Sequence, residues 1–194
     1  MIAHMLRSIP PLRRTAYHLC TWRSKTLLDT VCDLVPSDDH ILDIGSGMCV
    51  ITEALQQQGR RVTPLDVADL SFTPAIRPIL YDGMSMPFDD DSFDTALLIT
   101  VLHHTPHPEA VIQEAARVAR KILIVEDIYS TTAGKYFTFA ADSLLNLEFT
   151  GHPRTNKRDD EWRALFESLG LHLTDARYNR ALGLFTHGTY FVSR

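Results

Sequence analysis

The sequence predicts an α/β protein: a doubly wound, mainly parallel seven-stranded sheet closed by a C-terminal antiparallel hairpin. Three observations carry this expectation. From residue 40 to residue 125, strand-like and helix-like segments alternate, as they do when crossover helices link parallel strands. Residues 93–102 and 122–125 are nearly continuous in apolar side chains, the pattern of strands covered on both faces. Residues 171–178 and 185–192 instead alternate in character, as the two arms of a hairpin do at a sheet edge.

Each element has its own local reason. Residues 15–34 read as one helix, with Tyr17, Leu19, Leu27, Leu28, Val31 and Leu34 at helical spacing, and Pro36-Ser37-Asp38-Asp39 stops it. Strand one follows at 40–44. The next helix begins at about Met48 and runs to about Gln58, and Gly59 suits its C-cap. Residues 61–66 make strand two, where Pro64 implies an irregularity or an edge position. Residues 67–77 contain Pro74 and little periodicity, so any helix there is short. Strand three is 78–82, and residues 87–92 are a turn cluster. Strand four is 93–102. Helix 108–120 turns Val111, Ile112, Ala115 and Val118 toward the core. Strand five, 122–125, ends in Glu126-Asp127. Beyond it, residues 132–147 read as an apolar helix and 149–158 as a polar loop. Residues 159–169 make a helix with Gly170 at its C-cap, and 179–184 join the hairpin.

Composition limits the function classes. A chain of 194 residues with 45% hydrophobic and 22% charged side chains has the make-up of one globular domain. The net charge of −5 disfavours broad nucleic-acid binding, which needs a basic stripe. No apolar run has the length of a membrane span. Cys20, Cys32 and Cys49 are odd in number and lack C-x-x-C spacing, so neither a disulfide framework nor a zinc site is expected, and a reducing cytoplasm is. Arg7, Arg13, Arg14, Arg23 and Lys25 precede the first acid, Asp29. Such a start can be a transit peptide; it reads better as a solvated helical extension. No secretory signal is expected.

The chemistry gathers at the strand ends. Ile41-Leu42-Asp43-Ile44-Gly45-Ser46-Gly47 is an apolar strand with one acid that runs into two glycines and then a helix. That arrangement collects backbone N–H groups and the positive end of a helix dipole around one small space. Ligands of doubly wound sheets sit outside the carboxyl ends of the strands, near the point where strand order reverses. Strand two ends in Asp66, where a carboxylate would accept from a ribose diol. Strand three ends in Asp82-Gly83, and strand four in Thr100-Val101-Leu102-His103-His104. A dinucleotide turn would place a third glycine where Val50 stands, and a phosphate-binding loop would need a lysine after the glycines. An adenosine carrying a compact zwitterion fits better than either.

The same residues resemble a family. The run 41–47 is similar to motif I of the class I S-adenosylmethionine-dependent methyltransferases. Asp82-Gly83-Met84-Ser85-Met86-Pro87-Phe88, then Asp89-Asp90-Asp91-Ser92-Phe93-Asp94, closely resembles the segment around strands three and four in the methyltransferase type 11 group. Leu102-His103-His104-Thr105-Pro106 and Glu114-Ala115-Ala116-Arg117-Val118 continue the pattern, so the resemblance covers roughly residues 41–127. It implies S-adenosylmethionine as cofactor, in a single methyltransferase domain over 1–194. Within it, 1–39 is a helical extension, 40–127 the cofactor-binding core, and 128–194 an acceptor-side lid with the closing hairpin.

By position, the resemblance assigns roles. Asp43, with the backbone of Gly45 and Thr100, holds the amino group of the methionine moiety beside the Gly45–Gly47 turn. Asp66 binds the ribose, and Asp82 accepts from the adenine amino group with the Gly83 backbone beside the ring. Val67 and Val101 line the adenine and sulfonium walls. Two departures stand out. Cys49 occupies a position that is often glycine, and Ala119-Arg120-Lys121 replaces a Pro-Gly-Gly before strand five, which implies a shortened loop.

Methyl transfer is an in-line displacement, so the protein mainly supplies alignment and, where the nucleophile loses a proton, a base. His104 and His103 are the catalytic candidates. His152 and Arg154, in the polar loop, are the acceptor-binding candidates, and no metal is expected. The acceptor is expected to be a small molecule. A non-catalytic binding module with a protein partner is the alternative, with Cys49 blocking the cofactor and cofactor calorimetry as the discriminating test. A dehydrogenase-like nucleotide binder is disfavoured by Val50.

Overall fold

The computed structural model describes residues 24, 27–131, 136, 155–181 and 185–194. A helix at 27–34 (α1) precedes β1 (His40–Ile44), α2 (Val50–Gln57), β2 (Arg61–Asp66), β3 (Ile79–Leu80) and β4 (Phe93–Ile99). A 3₁₀ turn (Leu102–His104), α3 (Pro108–Val118), β5 (Ala119–Ile128), α4 (Asp159–Ser168), β6 (His172–Ala181) and β7 (Phe185–Ser193) follow. The sheet has seven strands in the order β3-β2-β1-β4-β5-β7-β6. β3, β2, β1, β4 and β5 pair in parallel, while β7 runs antiparallel between β5 and β6. This is the doubly wound sheet with a closing hairpin that the alternation predicts.

Two apolar layers hold the helices on opposite faces. Ile41, Val62, Leu97 and Leu123 meet Leu28 and Val31 of α1 and Leu55 of α2. Leu42, Ile44, Leu98, Ile122 and Ile124 meet Val111, Ile112 and Ala115 of α3 and Trp162 and Phe166 of α4. Strand pleating explains the division, because successive side chains point to opposite faces. α3 starts with Pro108 at its first turn, where a missing N–H costs nothing. α4 starts where the Arg158 N–H donates to the Glu161 carboxylate at 2.6 Å. Pro64 sits in β2 where a strand neighbours it on one side only: it pairs with Asp43, whereas β3 covers only Leu65 and Asp66.

Several boundaries differ from the sequence expectation. α2 begins at Val50, because Cys49 takes a left-handed conformation (φ 59°) and becomes the N-cap. Strand three shortens to two residues. Strand four stops at Ile99 instead of reaching residue 102. Thr100 turns to a φ of 51°, and its N–H donates to the Val125 carbonyl at 2.7 Å. The histidine pair therefore stands on a 3₁₀ turn beyond the strand. α3 ends at Val118, and Ala119-Arg120-Lys121 open β5 directly, without a loop. The hairpin arms are longer than expected and leave only residues 182–184 between them. The predicted helix at 132–147, residue 136 excepted, and most of the predicted helix at 15–34 lie outside the described residues. Among the described residues, no helix is long and apolar enough to cross a membrane.

Candidate functional site

The strand order reverses between β2-β1 and β4-β5, so the carboxyl ends of β1 and β4 lie side by side. At that crevice a Cβ built on Gly45 would stand 2.2 Å from a methyl of Val101, an approach only glycine permits. Gly45 has a φ of 70° and Gly47 a φ of 52°. The Gly45 N–H donates to the Leu65 carbonyl at 2.8 Å. The N–H groups of Gly45 and Thr100 are thus both committed within the sheet. What these residues can offer a ligand is carbonyl oxygen, which suits an ammonium group and not an anion.

Three carboxylates lie at or just beyond the ends of successive strands. Asp43 is buried and accepts the Thr52 hydroxyl at 2.5 Å. Its pKa rises to about 6, chiefly because burial strips water from the carboxylate, with the charge of Asp66 adding to the rise. Asp66 is buried too, and its two oxygens accept from Gly47 N–H at 2.7 Å and Ala68 N–H at 3.1 Å. Each oxygen keeps a further lone pair for a ribose hydroxyl. Asp82 is exposed and accepts from the N–H groups of Met84 (2.8 Å) and Ser85 (2.9 Å), and these bonds lower its pKa. Val67 is 62% exposed and Met84 57%, which leaves apolar surface open beside Gly83. Val67 approaches the Cβ position of Gly83 to 3.3 Å. Arg77, between β2 and β3, is already bonded to Asp69 at 2.6 Å. Such a set of acceptors disfavours phosphate; it fits a neutral nucleoside joined to a cation.

Cys49 is buried, and its thiol lies within 3.6 Å of the Ser46 hydroxyl and 3.9 Å of the Gly47 carbonyl. Burial pushes that thiol up to about 11, so it stays protonated and unreactive.

The other half of the crevice holds the histidines. His103 and Glu126 are both buried, and Nδ1 of His103 stands 2.5 Å from one oxygen of Glu126. The second oxygen accepts the Leu102 N–H at 2.7 Å. The His104 ring lies against that of His103, with centroids 4.2 Å apart, and is the more accessible of the two. The Thr155 hydroxyl bonds the carbonyls of Leu102 (2.9 Å) and Thr105 (3.1 Å), which ties the described start of the α4 approach to this turn. His152 and Arg154 lie outside the described residues.

Thr52, Glu126 and Thr155 were not singled out from the sequence. Glu126 had a signal: an acid that ends a strand of four apolar residues must find a partner where the strand emerges. Thr52 had a weaker one, as a hydroxyl on the sheet-facing side of α2. Thr155 had none, since its partners are far away in sequence.

Comparison with known proteins bears on the fold and the family. Residues 42–122 match the family model described as a methyltransferase domain. The ubiquinone biosynthesis O-methyltransferase of Hahella chejuensis is 28% identical over 92 residues, covering 42% of this chain and 39% of that protein. The chain thus spans about two fifths of that relative's length. Among solved structures, a SAM-dependent methyltransferase from Methanosarcina mazei superposes with a TM-score of 0.67 at 18% identity, covering 85% of this chain and 96% of that one. Magnesium protoporphyrin IX methyltransferase from Synechocystis, solved with bound SAH, gives 0.61 at 15% identity, covering 93% and 84%. At these identities the structures speak to the fold.

Proposed function

We infer that this chain, whose residues 42–122 belong to the type 11 group of class I S-adenosylmethionine-dependent methyltransferases, transfers a methyl group to a small-molecule acceptor in the cytoplasm. The observation that carries the reading is the set of three successive strand-end carboxylates, Asp43, Asp66 and Asp82, around the Gly45–Gly47 turn at the switch point of the sheet. Asp66 holds the ribose and Asp82 the adenine edge, with Val67 and Gly83 against the ring. Asp43 acts with the carbonyls of Gly45 and Thr100 on the amino group, and Val101 backs the sulfonium. S-adenosylmethionine, when bound, supplies a methyl carbon on a sulfonium leaving group.

The acceptor side is taken to be the 3₁₀ turn. His104, the more accessible ring, would receive the proton that the acceptor loses. His103, buried against Glu126, holds His104 by ring contact. A base in this position is worth about 10²–10⁴-fold. Relatives named O-methyltransferases support an acceptor hydroxyl. The net charge of −5 favours a small molecule over nucleic acid. His152 and Arg154, which precede α4 in sequence, are proposed to meet the acceptor.

Incubation with methyl-labelled S-adenosylmethionine and a panel of hydroxylated aromatic small molecules tests this. Label transfer that disappears in His104→Ala is expected. Cofactor binding without transfer to any class of small molecule would favour the non-catalytic module, a reading that the burial of Cys49 does not support.

A further inference from the structure

We propose that Arg117 and Glu114, on α3 and outside the cofactor crevice, are positioning residues for the adenine side of the site. The inference rests on the cofactor reading above. The segment between β3 and β4 carries Asp82 and Gly83, yet it contains no helix or strand that would satisfy its own backbone. Beyond the Asp82 turn, α3 supplies bonds to its backbone. The Arg117 guanidinium donates to the carbonyls of Met86 (3.0 Å) and Phe88 (2.8 Å), to Asp90 (2.9 Å) and to both oxygens of Glu114 (2.8 Å each). Every N–H that an arginine side chain has is thereby used. Glu114 adds a bond from the Met86 N–H at 2.8 Å, and the Arg117 carbonyl accepts the Asp91 N–H at 3.1 Å.

The brace grips the segment immediately after the Asp82 turn. Asp82 bonds the N–H groups of residues 84 and 85, and Glu114 takes the next N–H, that of Met86. The side chain of Met86 is buried in the core cluster, so the gripped end cannot move independently of the sheet. Fixing residues 84–90 therefore fixes the orientation of the Asp82 carboxylate and the Gly83 backbone. A planar, multiply bonded guanidinium can do this, whereas a lysine ammonium, with fewer donors and no fork, can do it only in part.

If the segment takes its binding-competent shape only a tenth of the time once the brace is cut, ligand affinity falls by about tenfold. The test is calorimetric titration of the full chain with S-adenosylhomocysteine and, separately, with adenosine, well below the unfolding midpoint of every variant. Arg117→Ala and Glu114→Gln should weaken both ligands by about tenfold, by the same factor for each, because the affected contacts are to adenine. Arg117→Lys should lie between. Arg120→Ala, which removes only the surface pair with Asp94 at 3.3 Å, should change neither. Should Arg117→Ala fail to fold, Arg117→Lys and Glu114→Gln carry the test, since lost stability alone leaves the affinity of the folded fraction unaltered. Wild-type binding with unchanged affinity in these variants overturns the brace. So does a loss confined to S-adenosylhomocysteine. No binding by the wild type sinks the cofactor reading itself, and the brace with it.

Discussion

The two halves of the crevice are built by different means. On the cofactor side, the bonds that the three carboxylates make span short stretches of chain: Asp82 to residues 2 and 3 positions on, Asp43 to Thr52 9 positions on, and Gly47 to Asp66 across 19. On the acceptor side, His103 meets Glu126 across 23 residues, and Thr155 reaches Leu102 across 53. The first half is a set of strand ends, each carrying its own turn. The second is assembled from β5, the 3₁₀ turn and the approach to α4. The difference teaches where specificity resides: a common cofactor can be held by local motifs, while an acceptor is met by parts brought together only in the fold.

If the halves are functionally separate, their variants separate as well. The largest effect is expected from His104→Ala, which should lower turnover on an accepted substrate by about 10²–10⁴-fold and leave the affinity for S-adenosylhomocysteine unchanged in calorimetry. Glu126→Gln should follow it in direction by releasing His103. A matching loss of cofactor affinity in either variant would join the halves that the comparison divides.

Next in size is Asp66→Ala. It removes a buried carboxylate that bonds the Gly47 N–H and is proposed to bond the ribose, so affinity for S-adenosylhomocysteine should fall by about a hundredfold. The backbone fold should persist, as circular dichroism would show.

The third effect is a pH dependence. Asp43 has a folded pKa of about 6, raised from 3.8 by burial. Between those values the folded state holds a proton that the unfolded state releases. Asp43 therefore favours the fold at low pH, and this contribution is lost as pH rises through about 6, by an amount of order 3 kcal/mol. Chemical denaturation of Asp43→Asn should lack that loss. Binding has the opposite sign. A ligand ammonium favours the ionised carboxylate, so wild-type affinity should tighten from pH 5 to pH 7 by roughly tenfold, and Asp43→Asn should show a flat profile.

These contrasts also explain what was legible in the sequence. Asp43, Gly45, Gly47, Asp66, Asp82 and Gly83 could be placed because each sits at the end of an apolar run, and hydrophobic patterning reports strand ends well. The apolar positions of α3 were legible for the same reason. The end of β4 was not. Thr100 is β-branched within an apolar run and its N–H still bonds the neighbouring strand at Val125, so only its left-handed φ stops the strand. Ala119-Arg120-Lys121 reads as a helix end and a shortened loop, because it stands where the family has Pro-Gly-Gly. In the fold they open β5, where Lys121 finds Asp39 at 2.7 Å. The roles of Glu126, Thr155 and Arg117 depend on partners that no local pattern announces.

The smallest expected effect concerns Cys49. A non-glycine residue at φ 59° carries a backbone cost of about 1–2 kcal/mol, which Cys49→Gly would relieve. The same substitution removes a buried side chain and adds freedom to the unfolded chain. Thermal unfolding should therefore change little, and cofactor affinity should stay within about threefold, a shift below 1 kcal/mol. A large gain in affinity would mean that the thiol does reach the cofactor.

The central claim is that the cofactor half is a working S-adenosylmethionine site. Calorimetric titration of the full chain with S-adenosylhomocysteine, wild type beside Asp66→Ala, tests it most directly. The account predicts saturable one-to-one binding by the wild type and its near loss in Asp66→Ala. No detectable binding by the wild type, or equal binding by both proteins, would contradict it.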